Sequence, residues 1–364
     1  MVTVHSSDST RQYSMSLLVL AAKDVNAAIS TLKPNELEHL MASVFLRLSS
    51  RSGYASPHRI TIHMSQHTAL FMPSRVDGIG TAVKVVSVPN SPVDMRGLPA
   101  STVLLEEETG CARAIINASA LTALRTAAGS VLATRLLLVK QQPTSLVAFG
   151  AGKQIEAHAH LHIRAFPSLR RCTVVNRTQN ARLDNLLSTL RRTHPSVVFD
   201  SLKLDEADSV KSAVERANVI CTATSATSAL FPSEWVSLGT HLNLVGSFKP
   251  GMIEVDDSLI RRAGMIVVDS KEACAAEAGE LISAGVSSEK MVEIGTLVKH
   301  NDCRSRSVMV PVLPTLLCDR VRKSGDVTVF KSVGVGLQDV AIARLVVSRA
   351  EEMKIGTVVQ SFYD

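Results

Sequence analysis

Apolar positions along the chain change their period twice, and each change marks a different kind of structure. Residues 16–20 form a short continuous apolar run, which reads as a strand. Helical spacing follows from Ala22 to Asp24 onward, and again from Asn35 to Arg47, a second amphipathic helix announced by Pro34. From Arg59 the pattern becomes alternating. The runs 59–64, 69–72, 81–88 and 102–106 are each bounded by Pro, Gly or polar residues, as in an antiparallel sheet. Ala118 to Leu138 is a long stretch rich in Ala and Leu, predicting a helix that connects this region to the next.

From Thr144 the pattern becomes strand–helix–strand. Strands are predicted over 145–149, 171–175, 197–199, 219–222, 241–245 and 265–268, with helices between several of them. That succession predicts an α/β fold with a doubly wound parallel sheet. Residues 301–314 are irregular and basic, as in a surface loop. A run at 327–330 and a helical stretch at 337–354 close the chain, and this tail is expected to return to the first unit. The polar, Ser-rich first 14 residues read as a disordered lead-in.

With 364 residues the chain can build two domains. Aromatic residues make up only 4%, and the net charge is +6. Short basic clusters without aromatic interleaving argue against nucleic-acid binding and suit an anionic cofactor and substrate. Six scattered cysteines without a Cys-x-x-Cys pair argue against zinc and a disulfide framework, and fit a reducing compartment. No apolar run reaches the length of a membrane span. A cytoplasmic protein is expected.

The chemistry starts at residues 147–154, Val-Ala-Phe-Gly-Ala-Gly-Lys-Gln, an apolar strand end running into a Gly-x-Gly turn and a helix. Gly150 permits a sharp turn, and Gly152 lets the backbone approach a pyrophosphate at a helix N-terminus. Ile155 occupies the third small position of the usual fingerprint, so the helix packs less closely there. Taken alone, the motif also fits an ordinary strand-to-helix turn. The next strand ends in Asn176-Arg177-Thr178, where an NAD site normally carries a carboxylate for the ribose hydroxyls. Asn176 can bond to ribose or phosphate oxygens and Arg177 can pair with a 2′-phosphate, which favours NADPH and leaves NADH possible.

Four further segments accompany residues 150–154: 83–86 (Val-Lys-Val-Val), 121–128 (Leu-Thr-Ala-Leu-Arg-Thr-Ala-Ala), 245–256 (Val-Gly-Ser-Phe-Lys-Pro-Gly-Met-Ile-Glu-Val-Asp) and 330–339 (Phe-Lys-Ser-Val-Gly-Val-Gly-Leu-Gln-Asp). Together, in this order, they resemble the ornithine cyclodeaminase/μ-crystallin family. The resemblance implies a Rossmann-type domain, here 128–316, inserted in a discontinuous α+β substrate-binding and dimerisation domain, here 1–127 and 317–364. It also implies a homodimer. The family's carboxylate-holding cations match Arg59, Lys84 and Arg125, and its cofactor residues match Gly150, Gly152, Lys153, Gln154, Asn176, Arg177 and Thr222. Ser332 and Val333 match residues beside the nicotinamide and substrate. A carboxylate drawn into a partly dry cleft must be paired, and arginine grips it bidentately.

Phe248 separates the family's activities. Cyclodeaminases carry an aspartate there to handle protons while ammonia leaves, and phenylalanine cannot do this. The expected reaction is NADPH-dependent reduction of a cyclic α-imino acid, Δ1-pyrroline-2-carboxylate or Δ1-piperideine-2-carboxylate, to proline or pipecolate. Lys84 is the candidate catalytic residue, orienting the substrate and relaying the nitrogen proton. Alternatives are ornithine cyclodeamination, another amino- or imino-acid enzyme of secondary metabolism, and a crystallin-like protein binding NADPH and a small ligand. His158 and His162 share a helix face, but no third ligand is near in sequence and no metal is expected. Glu277 and Glu280 read as capping or solvated helix residues, and Glu254 and Asp256 as structural fixtures of a loop.

Overall fold

The computed structural model describes residues 16–91, 98–138, 142–299 and 314–363. The expected lead-in and most of the 301–314 loop lie outside them. Two eight-stranded sheets organise the chain. The first runs Thr357–Val359, Leu17–Leu20, Ala112–Asn117, Ala100–Leu105, Gly80–Pro89, His67–Val76 and Tyr54–Ala55, with Ile60–His63 also paired to His67–Val76. It is antiparallel except where Leu17–Leu20 runs parallel to Ala112–Asn117. The second is wholly parallel: Val198–Lys203, Arg171–Asn176, Ser145–Phe149, Val219–Thr222, His241–Leu244, Thr328–Lys331, Ile266–Val268 and Met291–Glu293.

Side chains in the parallel strands alternate between two apolar layers. Leu146 and Ala148 enter one core and Val147 and Phe149 the other, as a strand buried on both faces requires. Strand order reverses between Ser145–Phe149 and Val219–Thr222, opening a crevice at their C-terminal ends, where ligands of such sheets bind.

The helix Ser119–Leu137 is buried nearly all round, including Leu121, Leu124, Val131 and Leu132. It packs on the helix Lys153–Ala165 of the second unit and on Pro34–Ser50 and Gly336–Met353 of the first. One apolar core therefore runs through both units. A boundary at 127/128 falls inside this continuous helix. The tail also divides differently from expectation: Thr328–Lys331 is an interior strand of the parallel sheet, and only Gly336–Met353 and Thr357–Val359 return to the first unit. Thr328, Val329, Phe330 and Lys331 are all buried, and hydrogen bonding on both edges outweighs the run's position near the chain end.

Candidate active site

The strand Gly80–Pro89 alternates buried and half-buried residues, and Lys84 falls on the buried side. Its side chain is 3% exposed, with Nζ 2.6 Å from Asp339 Oδ2. Arg125 projects from the helix Ser119–Leu137 into the same place, its Nε 3.3 Å from Asp339 Oδ1 and its Nη1 donating to Gln338 Oε1 at 3.1 Å. Asp339 thus holds both cations from the first turn of Gly336–Met353. Burial is the largest influence on Lys84 and pushes its ammonium below the ordinary lysine value. Asp339 opposes that, while Arg125 and Arg59 add to it. Gly334 has a φ of 87° and lies against the Arg125 guanidinium, where a Cβ would stand 2.6 Å from Nη1.

Arg59 completes the trio of cations from just before the strand Ile60–His63, and it is one-quarter exposed. Its guanidinium pairs with Glu277, at the end of the helix Lys271–Glu277 in the second unit. Glu280, three residues further on, is wholly buried and pairs with Lys331 at 2.8 Å. Neither glutamate is a solvated helix residue. Their partners are distant in sequence, and the local pattern carried no sign of them.

At the end of the strand Ser145–Phe149, Gly150 has a φ of 114°, and a Cβ there would lie 2.8 Å from the Ala223 carbonyl oxygen. Its N–H donates to Val175 O at 2.8 Å, tying the turn to the neighbouring strand. Gly152 precedes the helix Lys153–Ala165, and nothing lies within 4 Å of the place its Cβ would take. This is an open helix N-terminus, whose first N–H groups have no partner within the helix, suited to a pyrophosphate. Ile155, at the third position, is fully buried in the core. Gln154 Oε1 is buried with no hydrogen-bond partner among the described residues. Lys153 is largely exposed and pairs with Glu156 at 2.7 Å. Asn176 Nδ2 donates to Thr178 O at 2.7 Å, closing the turn that presents the exposed Arg177.

Two buried carboxylates missed as site residues set this crevice. Glu254 accepts from Thr222 Oγ1 at 2.7 Å, Thr224 N at 2.7 Å, Thr224 Oγ1 at 2.8 Å and Gly246 N at 2.8 Å. It therefore binds together the loops after two adjacent strands. Burial pushes its carboxyl up, and Lys331 and these hydrogen bonds pull it down. Asp269 accepts from Ser332 Oγ at 2.7 Å, Val333 N at 3.0 Å and Gly334 N at 2.7 Å. The Thr222 and Ser332 hydroxyls thus serve the frame of the site. Asp256 caps the helix Asp257–Arg262. Phe248 is half-buried beside Lys249, whose Nζ is 5.6 Å from the ring centroid.

The histidines of Lys153–Ala165 are part of the core. His158 Nε2 bonds Ser130 Oγ at 2.9 Å and His162 Nε2 bonds Thr134 Oγ1 at 3.1 Å. Their Nδ1 atoms meet the carbonyls of Gln154 and His158.

The parallel sheet thus carries an open helix N-terminus at its switch point, and the first unit a buried cluster of cations. This is the build of a dinucleotide-dependent oxidoreductase for an anionic substrate. The model of the ornithine cyclodeaminase/mu-crystallin family matches residues 16–354, and the chain belongs to that family. It is 30% identical over 300 residues to a Delta(1)-pyrroline-2-carboxylate reductase of Bacillus cereus, covering 80% of this chain and 84% of that one. It is also 30% identical over 301 residues to the ketimine reductase mu-crystallin of Mus musculus, covering 81% and 85%. Among solved structures, the Thermococcus litoralis Delta(1)-pyrroline-2-carboxylate reductase, in complex with NADH and L-proline, superposes with a TM-score of 0.77. That match has 23% identity and covers 93% of this chain and 99% of the other.

Proposed function

We propose that this protein uses NADPH to reduce a cyclic α-imino acid, Δ1-pyrroline-2-carboxylate or Δ1-piperideine-2-carboxylate, to proline or pipecolate. The observation that carries this reading is the gathering of Lys84 and Arg125 on Asp339, with Arg59 acting on Lys84, in a chain whose parallel sheet also carries the open Gly150–Gly152 turn. Names of relatives that reduce such substrates support it. The open N-terminus at Gly152 and the unpartnered Gln154 Oε1 fit a dinucleotide, with Gly150, Gly152, Lys153 and Gln154 about its phosphates and Asn176 and Arg177 at its ribose end. When bound, the nicotinamide supplies the hydride.

The chain's own residues do the rest. Arg125 and Arg59 grip the substrate carboxylate, and Lys84 steers it from the floor of the cleft. Val333 and Gly334, held by Asp269, form the wall beside the reacting carbon. Phe248 presents a ring where a proton carrier would be needed for ammonia loss, so a cyclodeaminase step has no acid–base group from this position. Arg177, exposed and without an ion-pair partner among the described residues, favours a 2′-phosphate and hence NADPH over NADH.

A second copy fits the outer face of the first sheet. Pro73, Val83, Val103 and Ile115 lie side by side across four strands, with Phe71 and Val85 in the next row. All six face away from the core and are half-buried or exposed, which suits a homodimer. Among the described residues no helix is long and apolar enough to cross a membrane, and a cytoplasmic location agrees with the five free cysteines described.

The direct test is oxidation of NADPH by purified protein with each ketimine in turn. Turnover is expected with at least one ring size. Conversion of ornithine to proline without ketimine reduction would overturn the reading.

A further inference from the structure

Lys331 ends the interior strand Thr328–Lys331, and its side chain is fully buried. The sheet register sets it beside Leu244, the last residue of the neighbouring strand His241–Leu244. From there its Nζ reaches forward along that neighbour and donates to Ser247 O at 2.6 Å. Glu280, in the short helix Gly279–Ser283, supplies the counter-charge at 2.8 Å and is also wholly buried. Neither Glu280 oxygen accepts a hydrogen bond among the described residues, so the pair is held by charge. The proposed reaction gives neither residue a task.

Ser247 is the fixed point of its loop. Its Oγ donates to Met252 O at 2.7 Å and accepts from Gly279 N at 3.1 Å, and the preceding Gly246 N donates to Glu254 at 2.8 Å. Gly279 lies so close to the carbonyls of Pro250 and Met252 that a Cβ has no room. Beyond Ser247 burial falls away: Phe248 is half-buried, and Lys249, Pro250 and Gly251 are exposed. The Phe248 ring therefore takes its position from the residue before it. Lys331 also runs directly into Ser332 and Val333, which Asp269 holds. One residue thus governs both Phe248 and Val333, the first through its ammonium and the second through its backbone.

Replacing an ion pair this deep by apolar residues of the same volume is often neutral for folding. What an apolar pair cannot do is hold a carbonyl oxygen, because that takes a directed donor. We propose that Lys331, held in place by Glu280, positions Phe248 through the Ser247 carbonyl and so fixes how that ring stands relative to Val333 where the substrate ring binds. The inference rests on the reading above, that a cyclic imino acid occupies this site. Lys331 and Glu280 are positioning residues, and neither touches the substrate.

The test is a kinetic cycle on the NADPH-dependent reduction of a ketimine that the wild type turns over. Lys331→Met with Glu280→Gln removes both charges together, so no buried ion is left alone. This paired change should raise the ketimine KM about tenfold, as loss of one well-packed apolar contact does, and leave the NADPH KM unchanged. Phe248→Ala should raise the ketimine KM by a similar factor. Adding it to the paired change should cause no further rise, because both remove the same contact. Circular dichroism checks folding. If the paired variant does not fold, Glu280→Gln alone, with Glu254 still acting on Lys331, goes through the same cycle. An unchanged ketimine KM, an NADPH KM that rises in parallel, or factors that multiply in the combined variant would overturn the proposal and leave the ketimine reading intact. Absence of turnover by the wild type with either ring size would overturn both.

Discussion

Asp339 offers the sharpest test of how the cationic floor is held. It is 4% exposed and is the carboxylate shared by Lys84 and Arg125. Asp339→Asn keeps its shape and one acceptor oxygen but removes the charge, leaving two buried cations facing each other. Removing one partner of a buried ion pair costs about 3–5 kcal/mol. Gln338 still accepts from Arg125, and we expect the low end, about 3 kcal/mol of folding stability. The anionic ligand should then recover much of that loss. If most of the 3 kcal/mol returns on binding, pyrrole-2-carboxylate should bind some 10- to 100-fold more tightly, at about 1.4 kcal/mol per decade. Turnover should nevertheless fall, since Lys84 and Arg125 lose the charge that fixes their positions and draw the carboxylate away from where Arg59 and Arg125 would aim it. Urea unfolding with and without the ligand, calorimetry and NADPH oxidation supply the three readings. A midpoint shift worth under about 1 kcal/mol together with unchanged or weaker ligand binding would refute the argument that Asp339 neutralises this pair.

Three further outcomes are expected. Lys84→Ala should abolish ketimine turnover and leave NADPH affinity nearly unchanged; an unchanged rate would favour a crystallin-like binding role instead. Arg177→Ala should weaken NADPH about tenfold with little effect on NADH, because a guanidinium–phosphate contact is lost in only one case; equal effects on both would remove Arg177 from the cofactor site. Burial holds the His158 imidazole down to about 4 and those of His162 and His241 down to about 3, against an ordinary 6.5. These depressed values mean that the stability they contribute is complete above pH 6.5 and is lost as pH falls toward 4 and 3. At pH 5 the loss is about 2 kcal/mol for each histidine, so urea midpoints should drop clearly between pH 7.5 and 5. A flat profile over that window would show that these rings are not held neutral.

Much of the fold was legible because it rests on local periods. The parallel strands from 145 to 268 and the antiparallel runs from 59 to 106 appear where alternation and apolar runs placed them. Ala112–Asn117 is not legible as a strand because its pattern is short and broken by Arg113, nor is Thr357–Val359, which lies on the surface and owes its strand form to pairing with Leu17–Leu20. Thr328–Lys331 was legible as a strand but not as a member of the parallel sheet, because its neighbours are set by strand order, which local pattern does not encode.

The site divides along the same line. Gly150, Gly152, Lys84 and Arg125 stood out in the sequence because each breaks a local rule: glycines at a strand end, cations in otherwise apolar elements. The anions that frame the site were less legible, since Asp339, which holds Lys84 and Arg125, Glu277, which holds Arg59, and Glu254 and Asp269, which tie loops together, lie where a helix or loop ordinarily carries an acid. Sequence alone determined the chemical types available, namely a Gly-x-Gly turn between a strand and a helix and cations at Arg59, Lys84 and Arg125. Tertiary structure alone decided which charge meets which: Asp339 with both Lys84 and Arg125, Glu277 with Arg59, Lys331 with Glu280. The reason is physical. Pairing energy depends on distance and burial in space, and residues 84, 125 and 339 share neither a helix turn nor a strand until the fold brings them together.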